Sequence, residues 1–394
     1  MQLPKNIEKI MAALKKAGFE SYCVGGCVRD SLLSLPISDY DITTSALPDQ
    51  TAAALIPIPV IDTGIKHGTV TAIIDGTPIE ITTFRSESGY TDHRHPDSVT
   101  FSKTLKSDLS RRDFTVNALA FSKESGIIDL FGGIDDLNSR LIRCVGDPYK
   151  RFSEDALRIL RALRFAACLG FSIEEETARA IKESFTLLSY ISKERIYSEL
   201  CRLICGKNAP KILVEYFEIF SFIFSNQKIN REIWNKRAHQ LPFLKAEPYI
   251  RFAALLSSLE DSENTFNSLI SLKADKNTAS LAQSLVSALP FKAPKNKIEL
   301  KKLMKIYSQQ TIEDLALLDC AESFNDIKSQ IQSIKESGEC FSLSRLAIGG
   351  NELSQLGFKG RQIGELLDML LCLVIEEKLE NTPSALISYV KTKK

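Results

Sequence analysis

Two aspartates one residue apart, Asp39 and Asp41 in D-Y-D-I, are the residues whose types and spacing first point to chemistry. Read as a strand, residues 39–42 turn both carboxylates to one face, because strand side chains alternate. Two close carboxylates repel unless a cation lies between them, and hard divalent cations such as Mg²⁺ take oxygen ligands. Upstream, Gly25-Gly26 ends a short apolar strand and runs into a helix expected over 28–35, with Arg29 in its first turn. A turn without Cβ atoms lets backbone N–H groups approach a phosphate closely. Either feature alone is commonly just a turn. In this order, a phosphate cradle built on Gly26 and Arg29 beside a carboxylate pair predicts phosphoryl or nucleotidyl transfer. Glu80, between Ile79 and Ile81 in the strand expected over 78–85, either faces solvent or joins Asp39 and Asp41. The second arrangement would let the three carboxylates hold two Mg²⁺ ions.

Two arginine-rich stretches extend the chemistry. In R-R-D-F-T-V-N-A-L-A (111–120), Arg112 can reach phosphate or sugar oxygens, while Asp113 and Asn117 can hold arginine or hydroxyl groups in place. In R-F-S-E-D-A-L-R-I-L-R-A-L-R-F (151–165), Ser153 reads as the N-cap of a helix running to about Leu169, before Gly170. Asp155, Arg158, Arg161 and Arg164 then recur every third residue as a polar stripe, opposite Leu157, Leu160 and Leu163. A salt-bridged solvent face explains that spacing. The sharper reading is base selection: cytosine and adenine each set an exocyclic amine beside a ring-nitrogen acceptor, and guanine and uracil show the opposite order. Asp155 accepting from the amine and Arg158 donating to the ring nitrogen would fit C and A, leaving Arg161 and Arg164 for triphosphate.

Around these residues the pattern predicts a small sheet and then helices. Ile7, Ile10, Met11 and Leu14 mark a helix over 6–17 that Gly18 stops. Strands are expected over 22–24, 56–60, 70–74 and 127–131, with Asp75-Gly76 as a hairpin turn and Gly132-Gly133 closing the region. Residues 86–110 read as a polar loop over the site. Helical spacing fills 174–184, 192–204, 209–224, 250–259, 264–273, 278–288, 297–307, 311–322 and 365–376. Glycines at 349–350 and 357–364, with Lys359 and Arg361, read either as helix caps or as a place for an RNA phosphate.

Composition restricts the class. At 394 residues, 44% apolar and 25% charged, the chain is expected to form about two to four globular units. A net charge of +1 means that any affinity for nucleic acid comes from a local basic face. The N-terminal stretch lacks a signal-peptide core, no run reaches membrane-spanning length, and nine cysteines read as reduced cytosolic thiols. The C-x-x-x-C pairs Cys23/Cys27 and Cys201/Cys205 lack further ligands at zinc spacing and read as buried small residues. None of the four histidines precedes an aspartate, so a phosphohydrolase built on a His-Asp doublet is not supported.

Taken together, the sequence resembles the class II tRNA nucleotidyltransferases, or CCA-adding enzymes, and the related bacterial poly(A) polymerases. The resemblance rests on G-G-C-V-R-D with D-Y-D, R-R-D-F-T-V-N-A-L-A, D-L-F-G-G, E-D-A-L-R and S-K-E-R-I-Y-S-E-L, in family order. It implies metal ligation by Asp39 and Asp41, with Glu80 as a third carboxylate, and nucleotide contacts from Gly26, Arg29, Arg112, Asp155, Arg158, Arg161 and Arg164. The last motif is implied to steady the base-selecting one. The implied fold is α+β: a mixed-sheet nucleotidyltransferase head (1–140), then a helical neck (141–205), body (206–330) and tRNA-binding tail (331–394). The implied activity is template-independent addition of C, C and A to the 3′ acceptor end of tRNA from CTP and ATP, with Mg²⁺, in the cytoplasm and away from membranes. The basic extension usual in poly(A) polymerases is missing. Residues 86–97, including Glu87, Tyr90, Asp92 and Arg94, retain the loop that enzymes adding only the two cytidines lack in part. The alternatives are A-only or CC-only addition, poly(A) synthesis, and a non-catalytic RNA-binding homologue, against which the intact carboxylates argue.

Overall fold

The computed structural model describes residues 1–89, 98–224, 228–259 and 264–392. Tyr90, Asp92 and Arg94, and the side chain of Glu87, fall outside what it describes. The chain packs as two compact units, Met1–Lys228 with Ile270–Ala274, and Ile229–Leu269 with Asp275–Lys394.

The first unit opens with α1 (Lys5–Lys16), whose buried face is Ile7, Ile10, Met11 and Leu14, and Gly18 at φ +86° turns the chain out of it. There follow β1 (Ser21–Val24), α2 (Gly26–Leu32), β2 (Asp41–Thr44), α3 (Pro48–Ala54), β3 (Val60–Gly64), β4 (Thr69–Ile74) and β5 (Thr77–Thr83). A separate two-stranded ribbon, β6 (Arg85–Ser88) with β7 (Ser98–Phe101), leads through α4 (Leu105–Ser110) to β8 (Leu119–Ser122) and β9 (Gly126–Asp129). The main sheet runs β3-β4-β5-β2-β1-β8-β9, antiparallel except for β2 against β5. Its middle is apolar, with Cys23, Val24, Ile42, Ile79 and Ile81 buried. Asp75 at φ +50° and Gly76 at φ +76° join β4 to β5, the two positive angles a tight hairpin of this twist needs.

After α5 (Gly133–Asn138) the unit turns helical: α6 (Pro148–Glu154), α7 (Leu157–Leu169), α8 (Glu175–Ser184), α9 (Lys193–Ile204), then Ala209–Glu215 and Phe217–Ile223. Asp129, in D-L-F-G-G, accepts the N–H groups of Phe131, Gly133 and Ile134 and so fixes the start of α5. In the second unit, the helices Arg361–Ile375 and Pro383–Thr392 bury Leu370, Leu371, Ile375, Leu386 and Val390 around Leu353. Among the described residues no helix is long and apolar enough to cross a membrane.

Several expectations are corrected. The strand carrying the aspartates begins at Asp41, not Asp39, because pairing with Val24 and with Glu80 begins there. Helix α2 starts at Gly26 and ends at Leu32, earlier than 28–35. The third strand lies at 60–64, after Pro57 and Pro59, which have no N–H to give a ladder. Residues 86–110 hold β7, α4 and the last residues of β6. The helix expected over 153–169 is two helices with Asp155 extended between them at φ −141°, ψ 102°. Ser153 is no N-cap, since its hydroxyl donates to the Lys150 carbonyl inside α6, and Asp147 caps that helix. The run 209–224 breaks at Tyr216, and the helices Arg231–Gln240 and Phe324–Glu336 were not legible beforehand.

Candidate active site

The parallel pairing of β2 with β5 sets Asp41 beside Glu80 in register, so both side chains leave the same face of the sheet. Asp39 precedes the strand, and all three carboxylates are exposed. Although its surface is open, packing around Asp41 pushes its carboxyl above the ordinary range; the Arg112 charge opposes that shift and the Asp39 charge adds to it. Asp39 and Asp41 therefore feel each other as like charges, a pair of hard oxygen donors that suits a divalent cation. Among the described residues no three His, Cys, Asp or Glu side chains stand close enough to hold a metal. Glu80 thus shares the face, but the three-carboxylate cluster is not assembled.

Gly25, at φ +75° and ψ −128°, is the residue before α2, a conformation for which a Cβ is unsuited. A Cβ there would also stand 2.9 Å from Arg112 Nη1. Gly26 opens the helix. Arg29, one turn on, is buried and donates through Nη1 to Asn117 Oδ1 at 2.7 Å, and through Nε and Nη2 to Asp30 at 2.8 and 3.0 Å. Asn117 Nδ2 donates to Asp113 Oδ1 at 3.1 Å, and Asp113 Oδ2 takes Arg161 through Nε at 2.8 Å and Nη2 at 2.6 Å. Burial pushes the Asp113 carboxyl up, yet Arg161 and Asn117 outweigh it and bring it down to about 2. Glu199 on α9 continues the chain of charges, 3.8 Å from Arg161 Nη1 and 2.6 Å from Arg164 Nε. The Phe165 ring gathers the guanidiniums of Arg29, Arg161 and Arg164 at 5.0, 5.6 and 4.0 Å from its centre. One polar network therefore joins the glycine turn to α7.

At the break between α6 and α7, Asp155 Oδ1 accepts from the Leu157 N–H, and Arg195 of α9 reaches Asp155 Oδ2 at 2.9 Å. Here S-K-E-R-I-Y-S-E-L supplies a direct contact to the stretch it is implied to steady. Arg158 is buried; it donates to Glu154 at 2.6 Å and to the carbonyls of Arg151 and Arg111. Asp155 and Arg158 thus each have a side-chain partner of their own, Arg195 and Glu154. Arg161 and Arg164 are paired with carboxylates from elsewhere in the fold, Asp113 and Glu199. Sequence reading gave no role to Asp108, Glu154, Phe165 or Glu199. Two of these carried a signal: Asp108 lies three and four residues before Arg111 and Arg112, and Glu154 four before Arg158, both helical ion-pair spacings.

In the second unit, the Gly349 N–H donates to Glu352 at 2.8 Å, so an acceptor from its own short helix takes the N–H expected to meet a phosphate. Arg361 pairs with Glu365 at 2.8 Å.

Comparison with known proteins matches these regions to described families. Residues 21–143 match the Poly A polymerase head domain, residues 170–225 the "Probable RNA and SrmB- binding site of polymerase A", and residues 250–390 a tRNA nucleotidyltransferase domain 2 model. The CCA-adding enzyme of Enterococcus faecalis is 38% identical over 98% of this chain and 95% of its own, and that of Lactobacillus helveticus 36% over 97% and 95%. The crystal structure of Bacillus stearothermophilus CCA-adding enzyme in complex with CTP superposes with a TM-score of 0.82 at 30% identity, covering 100% of this chain and 99% of that one. With such identity along nearly the whole of both chains, and with the family's motifs gathered around one network, the chain belongs to the CCA-adding enzymes, nucleotidyltransferases built on a poly(A) polymerase head.

Proposed function

We propose that this chain adds C, C and A in turn to the 3′ acceptor end of tRNA from CTP and ATP, releasing pyrophosphate. The observation that carries this reading is the network running from Arg29 through Asn117, Asp113, Arg161 and Glu199 to Arg164, which joins a phosphate turn beside two carboxylates to the helix pair that bears Asp155 and Arg158. A site for transfer and a site for choosing the base are thereby one object. The 3′ hydroxyl of the RNA attacks the α-phosphate in line with the departing pyrophosphate. Gly26, Arg29 and Arg112 bind and orient the triphosphate and ribose, and Arg161 and Arg164 add positive charge behind them. Asp155 offers an acceptor and Arg158 donors to the edge of C or A, each held in orientation by its own partner, Arg195 and Glu154.

Asp39 and Asp41 are the residues that would hold Mg²⁺, with Glu80 on the same face. When bound, the ion neutralises triphosphate charge and favours ionisation of the attacking hydroxyl. The head (1–140) is assigned to chemistry, the neck (141–205) to base choice, and the body (206–330) and tail (331–394) to the tRNA acceptor end, read by duplex shape and phosphates. Nine unbridged cysteines support a reducing, cytoplasmic setting.

The test is transfer to a tRNA that ends before CCA, given CTP and ATP singly and together, with the products sequenced. C, C and A are expected in order; addition of two C alone, of A alone, or of an A tail would replace this reading with the corresponding narrower or related activity. Asp41→Ala is expected to abolish incorporation, and chelation followed by Mg²⁺ to restore it in the unsubstituted protein; retained activity in Asp41→Ala would sink the metal assignment.

A further inference from the structure

Asp108, on α4, is fully buried, and its two carboxylate oxygens have divided duties. Oδ1 takes Arg111 twice, from Nε at 3.0 Å and Nη2 at 2.8 Å. Oδ2 takes Arg112 Nη2 at 3.3 Å and lies 3.3 Å from the Thr43 hydroxyl, whose one proton it shares with the Thr82 carbonyl at 3.1 Å. Thr43 lies two residues beyond Asp41 on β2, so a single oxygen ties the strand of the metal carboxylate to the arginine beside the glycine turn. A buried carboxylate persists only when its charge is matched. Burial drives the Asp108 carboxyl up, and Arg111 and Arg112 together bring it below the ordinary carboxylate range.

Arg112 also abuts the turn, since a Cβ on Gly25 would lie 2.9 Å from its Nη1. Its Nε is buried and has no hydrogen-bond partner among the described residues. A buried donor without an acceptor is costly, so this side chain is held in place by its remaining partners.

We propose that Asp108 is a positioning residue that clamps Arg112 between β2 and the glycine turn so that the Arg112 guanidinium is held beside the turn that receives the nucleoside triphosphate. Arg111 balances the charge Arg112 leaves unmatched, and Thr43 fixes the clamp to the strand. The inference rests on the nucleotidyl-transfer reading above.

The experiment is a double-mutant cycle on steady-state transfer of labelled C and A, using the full chain, with Asp108→Asn, Arg112→Ala and the pair. Asparagine keeps the size and weakens the hold. The KM for CTP and for ATP is expected to rise about tenfold, the worth of one charge-assisted hydrogen bond, with kcat within about threefold. In the Arg112→Ala background the same substitution is expected to move KM by no more than about twofold, because nothing remains to be positioned. Thr43→Val deletes the hydroxyl on Oδ2; it should raise KM about two- to threefold by the same route, and its cycle decides the matter if Asp108→Asn does not fold. KM effects that simply add, or a fall in kcat at unchanged KM, overturn the proposal, since Asp108 would then serve the fold alone. Unsubstituted protein that transfers neither nucleotide overturns the transfer reading and this proposal with it, an outcome distinct from additive effects in an active enzyme.

Discussion

Asp113 is the residue on which the buried network depends. Its carboxyl titrates at about 2 in the folded chain, against about 3.9 for an unperturbed aspartate. The folded value is the lower, so the stabilisation is complete above the unfolded pKa and is lost as pH falls through the folded one. It amounts to about 2–3 kcal/mol, given up between roughly pH 4 and pH 2. Asp113→Asn should flatten urea-unfolding stability across that window. At neutral pH it should cost about 3 kcal/mol, because Arg161 keeps its charge but loses its closest counter-charge. Gly25 makes a second demand at this scale. Gly25→Ala adds a Cβ where φ is +75° and where Arg112 stands 2.9 Å away. It is expected to destabilise the fold by about 1–3 kcal/mol in denaturant melts and, by displacing Arg112, to weaken CTP and ATP alike.

Between elements, the informative feature is the extended residue separating α6 from α7. E-D-A-L-R contains good helix formers, and local spacing predicts one continuous helix. What interrupts it is partly local and partly tertiary: the Asp155 side chain accepts the N–H of Leu157 two residues on, and Arg195 from α9 holds it there. Arg195→Gln should therefore relax base choice, raising misincorporation of U relative to C by about tenfold while C addition changes far less, as read by sequencing products from mixed nucleotides. Legibility from sequence follows the same division. Helix α1, strand β1 and the Asp75-Gly76 hairpin were legible because their signals are local: apolar spacing, and a turn pair suited to positive φ. The chemical residues were legible as types. The start of β2 was not, because its register is fixed by Val24 and Glu80 and not by its own residues. Nor was Glu199, whose meaning comes from the arginines of α7 that the fold brings to it, nor the contact of Phe165 with Arg29.

At the scale of the whole molecule the chain is two compact units, and buried charge serves the second as it serves the first. Arg237 donates to Asp319 at 2.8 Å and to the Leu318 carbonyl at 2.9 Å, deep in that unit. Asp319→Ala leaves the guanidinium without its counter-charge and should cost about 3 kcal/mol. Hydrogen exchange should report the loss in amides of 275–392, with the seven-stranded sheet still protected. The order of that sheet has one more consequence, for how the protein is made. Its interior strand β1 is synthesised near the start, but its neighbour β8 comes only with residues 119–122, and the salt link from Asp113 must wait for Arg161. Such distant pairings form late, since the intervening chain must be ordered first. A ribosome-bound nascent chain therefore displays Asp39 and Asp41 long before it can grip a nucleotide, and stays catalytically silent until translation has passed Arg161.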